Sequence, residues 1–313
     1  MGQYCFGIDV GGTSIKCGFF TAEGELLEKW EIPTRTENQG ENILPDIAKS
    51  IEKKMEEKAI SKEQVTGVGI GVPGPVNKNG EIPTAVNLNW GYKHISKEME
   101  ELTGLPSKAG NDANVAALGE AWKGGAAGCA NVILATLGTG VGGGIIVDGK
   151  IVAGAHGAGG EIGHANVKHD ETDSCNCGNK GCLEQMASAT GIVRLAKKAL
   201  AASEKESALR AAGDKLSAKK VFDAYKDGDA LAAEIVEEFA DYLGGALATF
   251  ATVVDPDVIL IGGGVSRAGQ PLVDAVEKYY KKYAFTTCKG TPIRLAELGN
   301  DAGIYGSAKL VAE

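Results

Sequence analysis

Between Gly160 and Glu184 the chain reads GEIGHANVKHDETDSCNCGNKGCLE, which gathers metal ligands and carboxylates into one short stretch. Cys175, Cys177 and Cys182 stand in a C-x-C-x4-C spacing, with His164 eleven positions before the first of them. Three thiolates and one imidazole make a tetrahedral set of the kind that closes around a structural zinc ion. Gly178 and Gly181 permit the tight turns that aim the sulfurs at one point. A disulfide or a redox pair would use cysteines too, but three close thiols in a chain with no visible secretory leader fit neither use. His169 is nearer in sequence than His164 and competes for the fourth position. His164 lies in Gly-Glu-Ile-Gly-His, where it can bind the metal through one ring nitrogen and offer the other to a substrate. Such a closed site has no open position for chemistry. The metal is expected to act as a clamp that positions Glu161, His164 and Glu184.

Three glycine clusters suggest a phosphate ligand. Asp9 to Thr13, with Gly11 and Gly12, joins two apolar runs, and Gly138-Thr139-Gly140-Val141-Gly142-Gly143 does the same further on. Gly262, Gly263 and Gly264 follow another apolar run. Gly138, Gly140 and Gly143 satisfy G-x-G-x-x-G, but they lead into a second β-branched run, whereas a dinucleotide site needs a helix N-terminus there. No G-x-x-x-x-G-K-[ST] loop is present. What remains are strand-turn-strand loops whose N–H groups can cradle phosphate oxygens. Any one of them could be a plain hairpin, yet two matching loops and a third glycine cluster have a simple common cause in a nucleotide spread between two domains. Asp9 would hold Mg2+ through water, and Lys16 would bring positive charge to the phosphates. Asp112 is the candidate general base, since phosphoryl transfer to an alcohol needs a carboxylate within reach of the attacking hydroxyl. Its plain alternative is a helix cap, a role open to Asn111 as well. Asn87, Asn111, Glu161 and Glu184 add donors and acceptors of the kind a polyol requires.

The elements that must position these groups follow from periodicity. Tyr4–Val10, Ile15–Thr21 and Leu26–Ile32 read as a meander of strands separated by turns. Ile43, Ile47, Ile51 and Met55 recur at a helical step. Val65–Val72 reads as a buried strand, Ile95–Thr103 as a short helix, and Ala113–Lys123 as a helix capped at Asn111 or Asp112. The pattern then returns, with a strand over 131–137, the glycine turn, and a hairpin of 144–147 with 150–153 across Asp148-Gly149. The recurrence, about 130 residues on, suggests two related halves facing a cleft. Helices are expected over 189–201, 218–225, 229–254, 271–283 and 302–311, with strands over 257–261 and 293–298. Leu243–Val254 reads as buried helix.

A chain of 313 residues suggests two domains. Hydrophobic residues at 43% and charged residues at 23% are ordinary for a globular protein, while 45 glycines, roughly 14%, are about twice the usual share. A net charge of -9 argues against a nucleic-acid surface. No apolar run reaches the ~18 residues a membrane helix needs, and no signal peptide is visible, so a cytoplasmic protein without membrane partners is expected. Met1-Gly2 is not followed by the Ser or Thr that myristoylation uses, because position 6 is Phe6. Cys5, Cys17, Cys129 and Cys288 lie in apolar or small-residue surroundings and read as core residues.

The segments Asp9-Val-Gly-Gly-Thr-Ser-Ile-Lys16, Gly138-Thr-Gly-Val-Gly-Gly143, Gly160-Glu-Ile-Gly-His164 and Cys175-Asn-Cys-Gly-Asn-Lys-Gly-Cys-Leu-Glu184 together resemble the ROK family of sugar kinases and repressors. The resemblance runs through essentially the whole chain, and within the family it is strongest to bacterial ATP-dependent glucokinases. It implies an α/β, actin-like and ribonuclease-H-like two-domain sugar kinase fold with an interdomain cleft. The implied domains are 1–113, joined by a terminal helix at about 300–313, and 114–299 with the zinc loop. ATP with Mg2+ would occupy the cleft, and Asp112 would serve as base toward the 6-hydroxyl of glucose. Asn87, Asn111, Glu161, His164 and Glu184 would grip the other hydroxyls, and homo-oligomers are expected. The resemblance favours His164 over His169 as zinc ligand. Kinases for N-acetylmannosamine, fructose or another hexose are the near alternatives. A repressor is not expected, because only eight residues precede Asp9 and a helix-turn-helix needs more.

Overall fold

The computed structural model describes residues 3–312. Strand β1 (Tyr4–Val10) pairs antiparallel with β2 (Ser14–Thr21), which pairs antiparallel with β3 (Leu26–Pro33). Strand β4 (Val65–Val72) runs parallel to β1, and β5 (Ser107–Asn111) parallel to β4. The sheet order is therefore β3-β2-β1-β4-β5.

A second five-stranded sheet repeats this plan. It comprises β6 (Val132–Leu137), β7 (Val141–Val147), β8 (Lys150–Ile151), β9 (Val258–Gly262) and β10 (Ile293–Leu295), in the order β8-β7-β6-β9-β10. Strands β6, β9 and β10 run parallel, and β7 and β8 form an antiparallel hairpin. The recurrence expected from the glycine turns is thus a repeat of sheet topology, and the arrangement is the ribonuclease-H-like one. Strand β9, VILIG, is buried at every position, as a parallel strand covered on both faces should be.

The longer helices are α1 (Ile43–Lys58), α2 (Ile95–Thr103), α3 (Asp112–Lys123), α4 (Ala189–Ala202), α5 (Ala218–Lys226), α6 (Ala230–Val254), α7 (Gln270–Tyr283) and α8 (Ala302–Lys309). Their packing divides the chain into two compact units. One runs to Gly128 and takes in Gly144–Gly160 and everything from Leu298 onward; the other holds Cys129–Gly143 and Glu161–Glu297. In the first unit Ile43, Ile47, Ile51 and Met55 of α1 are buried with β1 and β4. Helix α8 lies directly on the same sheet, because β4 offers it bare backbone. A Cβ at Gly69 would stand 1.7 Å from the Ser307 carbonyl oxygen.

Strand β5 is an element the sequence does not announce. Ser-Lys-Ala-Gly-Asn has no apolar run and no alternation, and only its pairing with β4 makes it a strand. The last strand stops at Leu295, short of Leu298, and α8 ends at Lys309. The end of α6 is less buried than expected, with Val253 84% exposed. Cys5, Cys17 and Cys288 are core residues, while Cys129 is only partly covered.

Candidate active site and metal centre

In the second unit the liganding atoms of His164, Cys175, Cys177 and Cys182 all lie within 4.8 Å of one another. His169 is not among them. Sulfurs bound about 2.3 Å from a tetrahedral ion sit roughly 3.8 Å apart. Cys177 and Cys182 Sγ are 3.6 Å apart, and Cys175 Sγ is 3.9 Å from His164 Nδ1, so the chemistry and spacing of the group fit zinc. The ring is oriented by this choice: Nδ1 faces the sulfurs, while Nε2 lies 4.0 Å from Glu161 Oε2. His164 is thereby able to hold a metal on one side and face a ligand on the other, with its side chain 37% exposed. Burial pushes the Cys182 thiol up to about 12, whereas the Asn179 N–H holds the Cys177 thiol below its ordinary value.

Backbone hydrogen bonds shape the loop that carries these ligands. Val167 N–H donates to the Gly181 carbonyl, Leu183 N–H to Ala165, and Cys175 N–H to Asn179. The stretch 168–174 anchors the loop. Arg194 of α4 pairs with Glu171 at 2.6 Å and with Asp173 at 2.7 Å.

Glu184 connects the metal group to the second glycine turn. Its Oε2 accepts the Val141 N–H at 3.1 Å, and its Oε1 stands 3.8 Å from Cys175 Sγ. Gly140 lets this carboxylate approach closely: a Cβ there would come within 2.0 Å of it and displace the Glu184 side chain. The start of α4 holds the other side of the turn, with Ala189 N–H donating to the Gly138 carbonyl and Thr190 Oγ1 to that of Thr139. Gly263, at φ +80, lies against the backbone of Leu137, so the third glycine cluster adjoins the second. Glu161, His164, Glu184, the three cysteines, the Gly138–Gly140 turn and Gly262–Gly264 therefore form one connected group in this unit.

Beside it opens a cavity of about 340 Å3, whose lining includes Ala189, Lys219, Phe222, Gly264, Val265 and Ala268. It ends at the Gly264 turn, with Phe222 and Val265 as apolar walls beside the charged Lys219, Asp223, Lys226 and Arg267. Lys219, Phe222 and Val265 carry no motif, and sequence reasoning did not find them.

In the first unit the Gly11–Thr13 turn is closed by Gly11 N–H donating to Ser14, and Thr34 Oγ1 donates to the Gly11 carbonyl. A Cβ at Gly12 would be 3.5 Å from the Asn87 carbonyl oxygen, so Asn87, exposed on its loop, sits beside this turn. Burial pushes the Asp9 carboxyl above its ordinary range, and only Lys16 opposes the shift. A desolvated carboxylate of this kind is a fitting partner for a divalent cation. Lys16, expected to face phosphates, donates to the Asn300 carbonyl at 3.0 Å.

Asn111 is the cap of α3: its Oδ1 accepts the Asn114 N–H at 3.1 Å, and its Nδ2 donates to the Gly74 carbonyl. The cap role thus falls to Asn111 and leaves Asp112 as first residue of the helix, where its Oδ1 accepts the Ala113 N–H at 2.7 Å. Among the described residues no helix is long and apolar enough to cross a membrane.

The chain is similar to known proteins along its length. The model of the ROK family matches residues 5–313. A glucokinase of Halalkalibacterium halodurans is 45% identical, over 99% of this chain and 96% of that protein. A ROK family glucokinase from Streptomyces griseus, solved in complex with glucose and AMPPNP, superposes with a TM-score of 0.75 at 34% identity, covering 98% of this chain and 99% of its own. A ROK hexokinase from Thermus thermophilus gives a TM-score of 0.81 at 32% identity, covering 99% and 97%.

Proposed function

The chain belongs to the ROK family, and we propose that it is a glucokinase, which transfers the γ-phosphoryl group of ATP to the 6-hydroxyl of glucose and yields glucose 6-phosphate and ADP. Full-length similarity to glucokinases supports the substrate. The geometric observation that carries the reading is Glu184, one carboxylate that ties a sugar-facing metal loop to a phosphate-facing glycine turn.

Asp112 accepts the proton of the 6-hydroxyl as that oxygen attacks phosphorus. Asn87, Asn111, Glu161, His164 and Glu184 hold the remaining hydroxyls. The N–H groups of Gly12 and Thr13, and of Thr139 and Gly140, face the phosphates, while those of Gly11 and Gly138 close the two turns. The nucleoside enters the cavity bounded by Phe222 and Val265, beside Gly262, Gly263 and Gly264. Asp9 would hold Mg2+, which supplies charge neutralisation for the phosphates. His164, Cys175, Cys177 and Cys182 would hold Zn2+, which supplies rigidity and no chemistry. Lys16 acts by fixing the Asn300 carbonyl near the first turn. The setting is the cytoplasm, where thiols stay reduced, and the working form is a homo-oligomer.

A coupled ADP-release assay over a panel of glucose, N-acetylmannosamine, fructose and N-acetylglucosamine tests the assignment. Glucose is expected to give the highest kcat/KM. Preference for another hexose would move the substrate, and no turnover on any would remove the enzyme.

A further inference from the structure

We propose that Asn89 and Trp90 are positioning residues: they tie the loop that carries Asn87 to the segment that closes the Gly11–Thr13 turn, so that sugar and nucleotide bind cooperatively through the first unit. The proposal rests on the kinase reading, which gives Asn87 to the sugar and the turn to the phosphates.

Loop 85–90 holds its apolar side chains inward and presents Asn87 outward. Ala85, Leu88 and Trp90 are buried, while Val86, Asn87 and Asn89 are exposed. Ala85 and Trp90 exchange both backbone hydrogen bonds, at 3.0 and 3.1 Å, and Thr84 Oγ1 donates to the Trp90 carbonyl. Asn89 turns the chain at φ +56, a left-handed conformation that asparagine accepts more readily than most residues.

Two side chains leave this loop for the segment 36–40. Asn89 Nδ2 donates to the Thr36 carbonyl at 3.1 Å, and Trp90 Nε1 donates to the Gly40 carbonyl at 3.0 Å in a buried setting. Between these two acceptors the backbone is left-handed at three successive residues, Asn38 at φ +50, Gln39 at +59 and Gly40 at +63. Glycine adopts this conformation freely and asparagine tolerates it, but glutamine resists it, so the turn persists because its surroundings hold it. The two backbones touch here, since a Cβ at Gly40 would stand 2.5 Å from the Leu88 carbonyl oxygen.

The other end of the segment is fixed to the phosphate turn. Thr34 N–H donates to the Thr13 carbonyl, and Thr34 Oγ1 donates to that of Gly11. The loop then returns to the same turn, because a Cβ at Gly12 would lie 3.5 Å from the Asn87 carbonyl oxygen. Turn, segment and loop therefore form a closed ring of contacts. A sugar held by Asn87 restrains the loop, the ring passes that restraint to the turn, and less ordering is left for the nucleotide to impose. By linkage the nucleotide tightens sugar binding by the same factor.

The test is titration calorimetry of the intact protein with AMPPNP and Mg2+, with and without saturating glucose, and of glucose with and without AMPPNP. In the parent each ligand is expected to tighten the other about tenfold. Asn89→Gly keeps the left-handed backbone and loses the bond to Thr36. Trp90→Phe keeps an aromatic ring in the core and leaves the buried Gly40 carbonyl without its donor. Each variant should lower the coupling to about threefold or less. A merely structural role would weaken each ligand alone and leave that ratio at its parent value. An unchanged ratio in the variants, or a parent with no coupling, would overturn the proposal. Asn89 is exposed, so its variant keeps the test decisive if Trp90→Phe fails to fold. Failure of glucose or AMPPNP to bind the parent at all would remove the kinase reading and this proposal with it, whereas an unchanged ratio with both bound removes the proposal alone.

Discussion

Glu184→Ala separates a positioning carboxylate from an incidental one. The carboxylate accepts the Val141 N–H at 3.1 Å, and Val141 is 5% exposed, so removal leaves a covered donor without its charged partner. A hydrogen bond to a charged group contributes about 1.5–3 kcal/mol. If that energy holds the Gly138–Gly140 turn in its phosphate-binding shape, its loss lowers kcat/KM by about 10- to 150-fold, at roughly 1.4 kcal/mol per decade. The loss should appear when either glucose or ATP is the varied substrate, because the same side chain lies 3.8 Å from Cys175 Sγ in the metal group. Glu184→Gln keeps an oxygen able to accept from Val141 and should lose less. The assay is coupled ADP release, with zinc content measured on the same preparations. A Glu184→Ala enzyme that retains its zinc and stays within about threefold of the parent would refute the reasoning, since the bond would then position nothing that turnover uses.

Asp112→Asn should abolish turnover while glucose still binds by calorimetry; near-normal turnover would exclude Asp112 as base. Cys177→Ser should lose zinc, read by elemental analysis, and weaken glucose binding; unchanged metal content would show the ligand set is wrong. Asp9 has a folded-state pKa raised above 3.8 by burial, so its ionisation costs stability as pH rises through that window and the cost persists above it. Asp9→Asn should therefore melt higher than the parent at pH 7 without metal, with the gain vanishing in acid, and should lose activity; a lower melting temperature at pH 7 would show that the carboxylate is stabilised and not strained. Glu171 is held down to about 2, chiefly by the Arg194 hydrogen bond, so its contribution is present above about 4.5 and lost as pH falls toward 2. Arg194→Met, by stranding a carboxylate whose side chain is 2% exposed, should cost about 3 kcal/mol, and an unchanged denaturation midpoint would argue against it.

What could be read from the sequence was what lies close along the chain. The three cysteines are local, and thiol chemistry restricts their use. The choice between His164 and His169 needed coordinates or a family, because it depends on which ring nitrogen turns toward the sulfurs. Strand β1, apolar and buried over most of its length, announces itself, whereas β5 becomes a strand only through partners some forty residues away, pairing Ser107 with Val68 and Asn111 with Val72. The cap of α3 was narrowed to two neighbouring residues, and a single bond from the Asn114 N–H decided it.

The same limit explains why Glu184 and Asn114 were legible as polar residues and illegible as devices. Each acts through a partner that spacing cannot supply: Val141 lies 43 residues from Glu184, and Gly159 lies 45 from Asn114. The two differ in one respect that bears on function. Both oxygens of Glu184 have neighbours within its own unit, so its placement is complete before any ligand arrives. Asn114 has one end bound and the other bare. A buried amide that is half satisfied costs stability at that end. Preorganised carboxylate and unfinished amide stand on opposite sides of one physical criterion, the satisfaction of buried polar atoms, and Glu184 meets it through partners that the fold alone supplies.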